Sequence, residues 1–560
     1  MPAQQISNAF QIEVDGSPMQ PVDLTRAEVE DHLHLPDAFT LTFRDAARTA
    51  LGTAKLKIGA KVKISVLSDA SAAPVKLLEG EVTALESEFH GGTSTTIVRG
   101  YDQSHRLLRG RVTHSYLKMT YKDVAEEVAT RHQLTGGTID ATSPTHAHVS
   151  QSNESDWSFL GRLAAEVGYE LTVSDEKLHF RHPGAADGAP SDRDLTSDDP
   201  LALMPGNNLL YIRASVTAAE QVKDVEVRGW DQRAKTVLKA TAPTRTDAAK
   251  NGSSSAAVAA VFPSPALVST GMMLGTNKAA EQAATALADR VAAGQTEIEG
   301  QARGNARLKA GAAVRVAQMG EPFDGRYVLT STRHSYDPEE GYVTWFSVSG
   351  RQERSTLSLA GGGGGANGGG AANVIDGVVP AIVDDVDDPD GLCRVRLRFP
   401  WMSDQYVSDW SRVAQAGAGH GRGMVILPEP GDEVLVAFDQ GDIRRPFVLG
   451  SLYNDKDRPD TGPGQLIDGS SKAVNNRLFT SRRGHQLVFV DTDQDCSVEI
   501  HSGDRKLVVR LDQTKKKITI NSGGDLELQA TGNIKIDAGG RMALKASGSL
   551  SVKGQTIELN

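Results

Sequence analysis

A mainly β protein, built as several small β units in series, is what the sequence predicts, and three observations predict it. Short segments near the start, at 10–14, 39–43, 61–66 and 96–98, alternate apolar and polar residues with the period of two that marks half-buried strands. Five short strand patterns then crowd between 374 and 454, the number that closes a small barrel such as an OB-fold. The last forty or so residues repeat an eight-residue unit led by glycine.

The composition agrees. Among 560 residues there are 56 Gly against 14 Phe, 5 Trp and 10 Tyr, so many permissive backbone positions accompany few large core side chains. Turns and repeats suit such a chain better than bulky cores. The length implies about three to four domains. A formal charge of −11 disfavours sequence-independent capture of nucleic acid. Cys393 and Cys496 are too far apart for a CxxC site, and two cysteines make no disulfide framework; both are expected to be small buried residues. The longest apolar run, 256–262, is far short of the roughly 18 residues that span a bilayer. The first residues show no basic segment leading into an apolar one, so synthesis in the cytoplasm without a signal peptide is expected.

Taken in order, the period-two strands of the first hundred residues predict a small barrel or sandwich. From Thr120 the spacing turns helical, with Val124, Val128 and Ala129, and again after Ser155, a candidate cap, with Trp157, Leu160, Leu163, Ala164 and Val167. Residues 113–180 therefore read as a small α+β insertion. Strands resume at 211–216 and 222–227, an Ala/Ser/Thr/Pro-rich loop is expected over 242–275, a helix over 278–293, and strands at 313–317, 327–332 and 342–348. Eight glycines in 361–370 make a tether, which bounds an N-terminal domain of 1–360, a linker of 361–372 and a barrel domain of 373–454. A connector of 455–484 leads to the repeat domain of 485–560.

In the repeat, Gly524, Gly532, Gly540 and Gly548 are each followed two and four positions later by apolar residues: Leu526 and Leu528, Ile534 and Ile536, Met542 and Leu544, Leu550 and Val552. Ile518 and Ile520 extend the register backward, with Lys516 in place of glycine. Residues two apart on a strand share a face, so each octad offers two inward apolar side chains, with glycine at the kink. So small a face cannot bury itself and must stack on copies. Single-chain β-helices with six-residue repeats and calcium β-rolls with nine do not match a period of eight; three chains wound about one axis do. The ten apolar residues from Ile518 to Val552 are then the needle core and trimerisation set.

Residues 391–454 resemble a known family. The ordered series Arg396 to Trp401 (RLRFPW), Trp410 to Gln415 (WSRVAQ), a glycine-rich turn, Pro428 to Phe438, Gly441 to Pro446 (GDIRRP) and Gly450 to Asn454 (GSLYN) is similar to the OB domain of VgrG-type spike proteins, kin to the hub and central spike of contractile phage tails. Trp157-Ser-Phe-Leu160 with Leu163 to Tyr169 looks like the phage hub pattern, and the octads resemble the spike's triple-stranded β-helix. The resemblance implies a hub with two related barrels, one within about 5–115 and one from about 205–350, so that three chains present six barrels to a hexameric, Hcp-like inner tube. It further implies a PAAR-type tip docked on Gln555, Thr556, Ile557, Glu558, Leu559 and Asn560, baseplate and hub adaptors as partners, effector cargo, and puncture of a target-cell envelope when a sheath contracts. The short connector and the end of the chain at Asn560 lead to the expectation that neither a lysozyme domain nor a C-terminal effector is present.

Other chemistry reads weakly, and no catalytic, cofactor or metal residue is assigned. The 384–391 run puts Val386 and Leu397 where an EF-hand needs ligands, and is read as a barrel turn. Gly417 to Gly423 lacks phosphate-loop spacing and is read as a tight turn. The HxH pairs His32/His34 and His146/His148 lack a third ligand at a diagnostic spacing and are expected to be surface residues. An OB-fold that binds nucleic acid is the alternative from another class, disfavoured because Phe399, Trp401 and Trp410 occupy structural positions and the flanking turns are acidic.

Overall fold

The computed structural model describes residues 10–67, 74–191, 199–231, 236–262, 265–270, 274, 276–351, 375, 377–403 and 405–558. The tether expected at 361–372 lies outside the described residues, as do Leu559 and Asn560. The chain divides into two units, Met1–Leu452 and Tyr453–Asn560, each with its own fold.

The first unit is organised by one antiparallel sheet of 11 strands. Its first half, from Phe10–Val14 to Thr93–Tyr101, curls around Phe39, Leu41, Phe43, Val62, Ile64 and Val98. Its second half is made of Leu209–Val216, Thr296–Arg303, Ser331–Asp337 and Gly341–Val348. A core of Leu308, Val314, Val316, Tyr327 and Leu329 lies with these strands and a separate four-stranded sheet. The two expected barrels are thus halves of a single ladder, joined where Leu24–His32 pairs with Ser331–Asp337.

Both halves use one packing device. Phe39 stands opposite Gly100 and Phe346 opposite Gly300 across neighbouring strands. A Cβ on Gly100 would lie 2.3 Å from the Phe39 ring, and one on Gly300 2.2 Å from the Phe346 ring. Only a bare backbone lets each ring lie over its partner strand. That shared pair is the likeness between the halves that spacing alone did not reveal.

The insertion forms as its sequence predicts. Helix Tyr121–Arg131 starts at a capping box between Thr120 and Asp123, and helix Asp156–Val167 starts where Ser155 Oγ accepts the Ser158 N–H at 3.2 Å. Gly168, at φ 74, ends the second helix. Both pack on Leu107, Tyr116, Leu178 and Phe180. The expected helix at 278–293 is Asn277–Ala293, set against a three-stranded sheet. The loop expected over 242–275 is corrected: it contains helix Ser255–Val261, because Ser254 caps an alanine-rich run through the Ala257 N–H and alanine favours helix.

The OB segment is a closed barrel of Val378–Asp385, Arg394–Arg398, Ser411–Val413, Pro446–Ser451 and Glu433–Phe438, in that order. Val383, Val395, Leu397, Phe399, Val434 and Val436 fill it. Its acidic turn is a lock: Asp388 accepts from the Arg394 guanidinium and from the N–H groups of Asp390, Leu392 and Arg394, which together hold its carboxyl far below the usual range. Gly417 to Gly423 is a hairpin, Ala418–Gly419 with Arg422–Gly423. The expected burial of the cysteines is corrected, since Cys393 is exposed on a left-handed turn at φ 57 and Cys496 is half-exposed.

In the second unit five strands form an antiparallel meander: Asn476–Thr480, Gln486–Asp491, Cys496–His501, Leu507–Asp512 and Lys517–Ser522. Among the described residues, 525–558, which carry the octads, pair with no strand.

Candidate assembly surfaces

In the second unit the meander keeps most of its large apolar residues outside. Successive cross-strand pairs align Phe479, Leu487, Ile500, Val509 and Ile520 in one row and Phe489, Val498, Leu511 and Ile518 in the next. The residues of the two rows are two apart on each strand, so both rows share a face. Ile500 and Ile518 are 55% and 68% exposed. The opposite face buries Val488 and Val490 beside polar groups: Arg510 there meets Asp495 at 2.6 Å, Glu499 and Asp512, while Asn476 donates to the Thr461 and Pro463 carbonyls. A sheet that hides its charges and shows its hydrocarbon is inverted relative to a self-sufficient fold.

The octads continue the pattern. Leu526, Leu528, Ile534, Ile536, Met542, Leu544, Leu550 and Val552 are all exposed, from 49% at Met542 to 72% at Leu544. Gly524, Gly532, Gly540 and Gly548 have open space where a Cβ would stand and no left-handed φ, so within one chain nothing demands glycine there. Of the six terminal residues, Gln555 to Glu558 are exposed.

Within the first unit, the insertion docks on the barrel through a built seam. Its hairpin of Val112–Met119 and His146–Glu154 places Ser115 Oγ 3.1 Å and His148 Nε2 2.9 Å from the Val407 carbonyl, and Ser150 Oγ 3.0 Å from the Tyr406 hydroxyl. A carbonyl only accepts, so Nε2 of His148 carries the proton. Burial pushes the Tyr406 phenol up to about 12. Beside it Arg444 grips Asp442 through Nε and Nη2 and donates to Glu166 Oε1 at 3.0 Å, whose other oxygen accepts the Tyr121 hydroxyl at 2.5 Å. Burial alone would raise the Glu166 carboxyl, but Arg444 and Arg162 outweigh it and hold the group ionised.

The histidine pairs are not the surface residues expected. His146 stacks on Tyr121 with centroids 4.3 Å apart and rings 5° from parallel, and His148 belongs to the seam. His32 Nδ1 accepts the His34 N–H at 3.0 Å, and burial pushes His34 down to about 4. These imidazoles sit where strands meet other elements, so desolvation keeps them neutral. Among the described residues no three His, Cys, Asp or Glu side chains come together as a metal set. In the barrel, Phe399 is buried, Trp410 lies 4.8 Å under the Arg396 guanidinium, and exposed Trp401 donates to the Pro380 carbonyl.

Comparison with known proteins follows these surfaces. Residues 379–453 match the type VI secretion system/phage-baseplate injector OB domain, and residues 50–337, just over half of the chain, match the Alg8 N-terminal domain. The type VI spike protein VgrG3 of Vibrio cholerae is 31% identical over 139 residues, 22% of this chain and 13% of that protein. VgrG1c of Pseudomonas aeruginosa is 28% identical over 137 residues, 22% of this chain and 19% of that protein. The chain therefore spans less than a fifth of the length of these curated relatives. A chain from the half-lidded Francisella PdpA–VgrG complex shares the fold with a TM-score of 0.55 at 9% identity, over 92% of this chain and 89% of that one. By the match over 50–337 the chain belongs to the Alg8 N-terminal domain family, and its OB segment, its local likeness to the type VI spike proteins and its shared fold make it similar to VgrG-type spikes.

Proposed function

We propose that this chain works as a homotrimer that forms the hub and needle of a contractile injection machine. The observation that carries the reading is the exposed hydrocarbon of the second unit, from Phe479 to Val552, with no partner for it among the described residues. At about 25 cal/mol per Å² of apolar surface removed from water, covering so long a row is strongly favourable, and threefold winding covers every octad alike. The inward set is then Ile518, Ile520, Leu526, Leu528, Ile534, Ile536, Met542, Leu544, Leu550 and Val552. The four octad glycines serve as kinks that matter only once three strands crowd one axis.

In this reading the two halves of the hub sheet, tripled, offer six similar surfaces to a hexameric, Hcp-like tube. The seam at Arg444 and Tyr406 carries load from hub to barrel. The terminal residues from Gln555 onward seat a PAAR-type tip, effectors travel with the spike, and sheath contraction drives the needle through a target envelope. The work is mechanical, and no residue is assigned a catalytic role. Light scattering of the purified chain tests the assembly: a mass near three times 59.6 kDa supports it, and a stable monomer of 59.6 kDa overturns it.

A further inference from the structure

The junction of the two hub halves with the insertion holds a cluster of acids that the spike function does not use. Asp31 lies on Leu24–His32, the strand that joins the halves, and its Oδ2 accepts the N–H of Ala310 in the second half at 3.0 Å. Asp37 Oδ1 accepts the His32 N–H at 3.1 Å, and the Asp37 carbonyl accepts the Asp102 N–H at 2.9 Å. Asp102, 7% exposed, accepts the Ser104 hydroxyl at 2.5 Å. All three carboxyls line one cavity of about 280 Å³, whose remaining walls come from 77–79, from 172–176 and Arg181 of the insertion, and from Lys309.

Of the cations that face this cavity, Lys309 attracts Asp31, while Lys76 and Arg181 pair with other acids. Lys309 Nζ donates to the Lys76 carbonyl at 3.2 Å, Lys76 pairs with Glu79 and with Asp175 at 2.7 Å, and Arg181 pairs with Glu170 at 3.0 Å. Glu176, the remaining acid on the wall, accepts from Gln103. His32 is kept neutral by burial. Among the described residues no ion pair reaches Asp31, Asp37 or Asp102. The charge of Asp31 opposes ionisation of Asp37, and a hydrogen bond between the two carboxyls needs a proton on one of them.

We propose that Asp31, Asp37 and Asp102 form a proton-operated latch at this junction, closed while the cluster holds protons and loosened once all three carboxyls ionise. Protonated, Asp31 and Asp37 hydrogen-bond to each other, and Asp31 still accepts Ala310, so both halves and the insertion wall stay together. Ionised, three like charges share one small cavity in which Lys309 attracts Asp31 and, among the described residues, no ion pair reaches Asp37 or Asp102. Burial raises all three groups, Asp102 to about 7, and the charge of Asp31 pushes Asp37 up further.

The sign follows from these directions. Carboxyls raised in the folded state bind more protons there than in the opened state above about pH 4, for Asp102 up to about pH 7, so closure weakens as pH rises. Hydrogen exchange of the full chain at pH 5, 6, 7 and 8, corrected for intrinsic rates, reads it out. Protection around Ala310 and over 172–176 should fall as pH rises, by about tenfold per pH unit for each coupled proton, with Asp102 losing its proton near pH 7. Peptides from the OB strands should not follow. Asp37→Asn, which keeps an acceptor for the His32 N–H, should flatten the profile; Asp102→Asn serves if the first variant does not fold. Equal wild-type protection at pH 5 and 8, or an unchanged slope in the Asn variant, overturns the latch.

Discussion

Arg444 shows how much one side chain carries in this molecule. It gathers Asp442 from its own turn and Glu166 from the insertion, and Glu166 also holds Tyr121, so one guanidinium ties two domains. Arg444→Met keeps most of the volume but strands two carboxylates. The loss should be about 2 kcal/mol, below that of a fully buried pair because Arg444 and Glu166 keep 27% and 33% of their side chains exposed. Chemical denaturation of the variant, followed at Trp410 in the barrel, measures it. Unchanged stability would mean that the seam rests on the Tyr406 and Val407 contacts alone. Little of this was legible in the sequence. His148 meets Val407 across 259 positions, and no local spacing encodes such a contact, so the histidines read as surface residues.

At the scale of elements, legibility follows regularity. The octads were readable because glycine recurs every eight residues. The meander before them uses the same pair of apolar residues two apart, at 487/489, 498/500, 509/511 and 518/520, but turns of varying length stretch the period, so only its last pair was recognised. Scanning for the pair and ignoring the period would have found it. The helix Ser255–Val261 was missed because alanine and serine beside prolines read as loop, whereas its cap decides it. The prediction at this scale concerns the needle. Leu544→Asp would set three carboxylates around one axis, where each lacks a partner. Trimer mass should be lost while the first unit, which contains none of these residues, keeps its melting transition. A trimer of unchanged melting temperature would show that Leu544 faces outward.

For the molecule as a whole, the series of β units, the insertion and the closed OB barrel were legible from pattern, because each is a local arrangement with its own punctuation. The fusion of the hub halves into one sheet was not, since the pairing of Leu24–His32 with Ser331–Asp337 joins strands some three hundred residues apart. The role proposed for the terminal residues also belongs to this scale, because in the proposed assembly a tip would meet three chains at once. Removing 555–560 should abolish co-purification with a PAAR-type tip protein and leave the trimer mass unchanged apart from the deleted residues. Retained capture would place the docking surface higher on the needle.

The inverted face of the meander also sets an order of events during synthesis. The first unit buries Phe39, Phe159, Tyr327 and Phe399 within one chain, so it can fold at any dilution. The second unit exposes Ile500, Ile518 and Leu544 until other copies arrive, so its completion is an encounter whose rate climbs with the number of chains nearby. Chains released side by side from one message would meet sooner than chains scattered through the cell. Until they meet, each chain carries uncovered hydrocarbon, and unassembled chains in excess are an aggregation hazard.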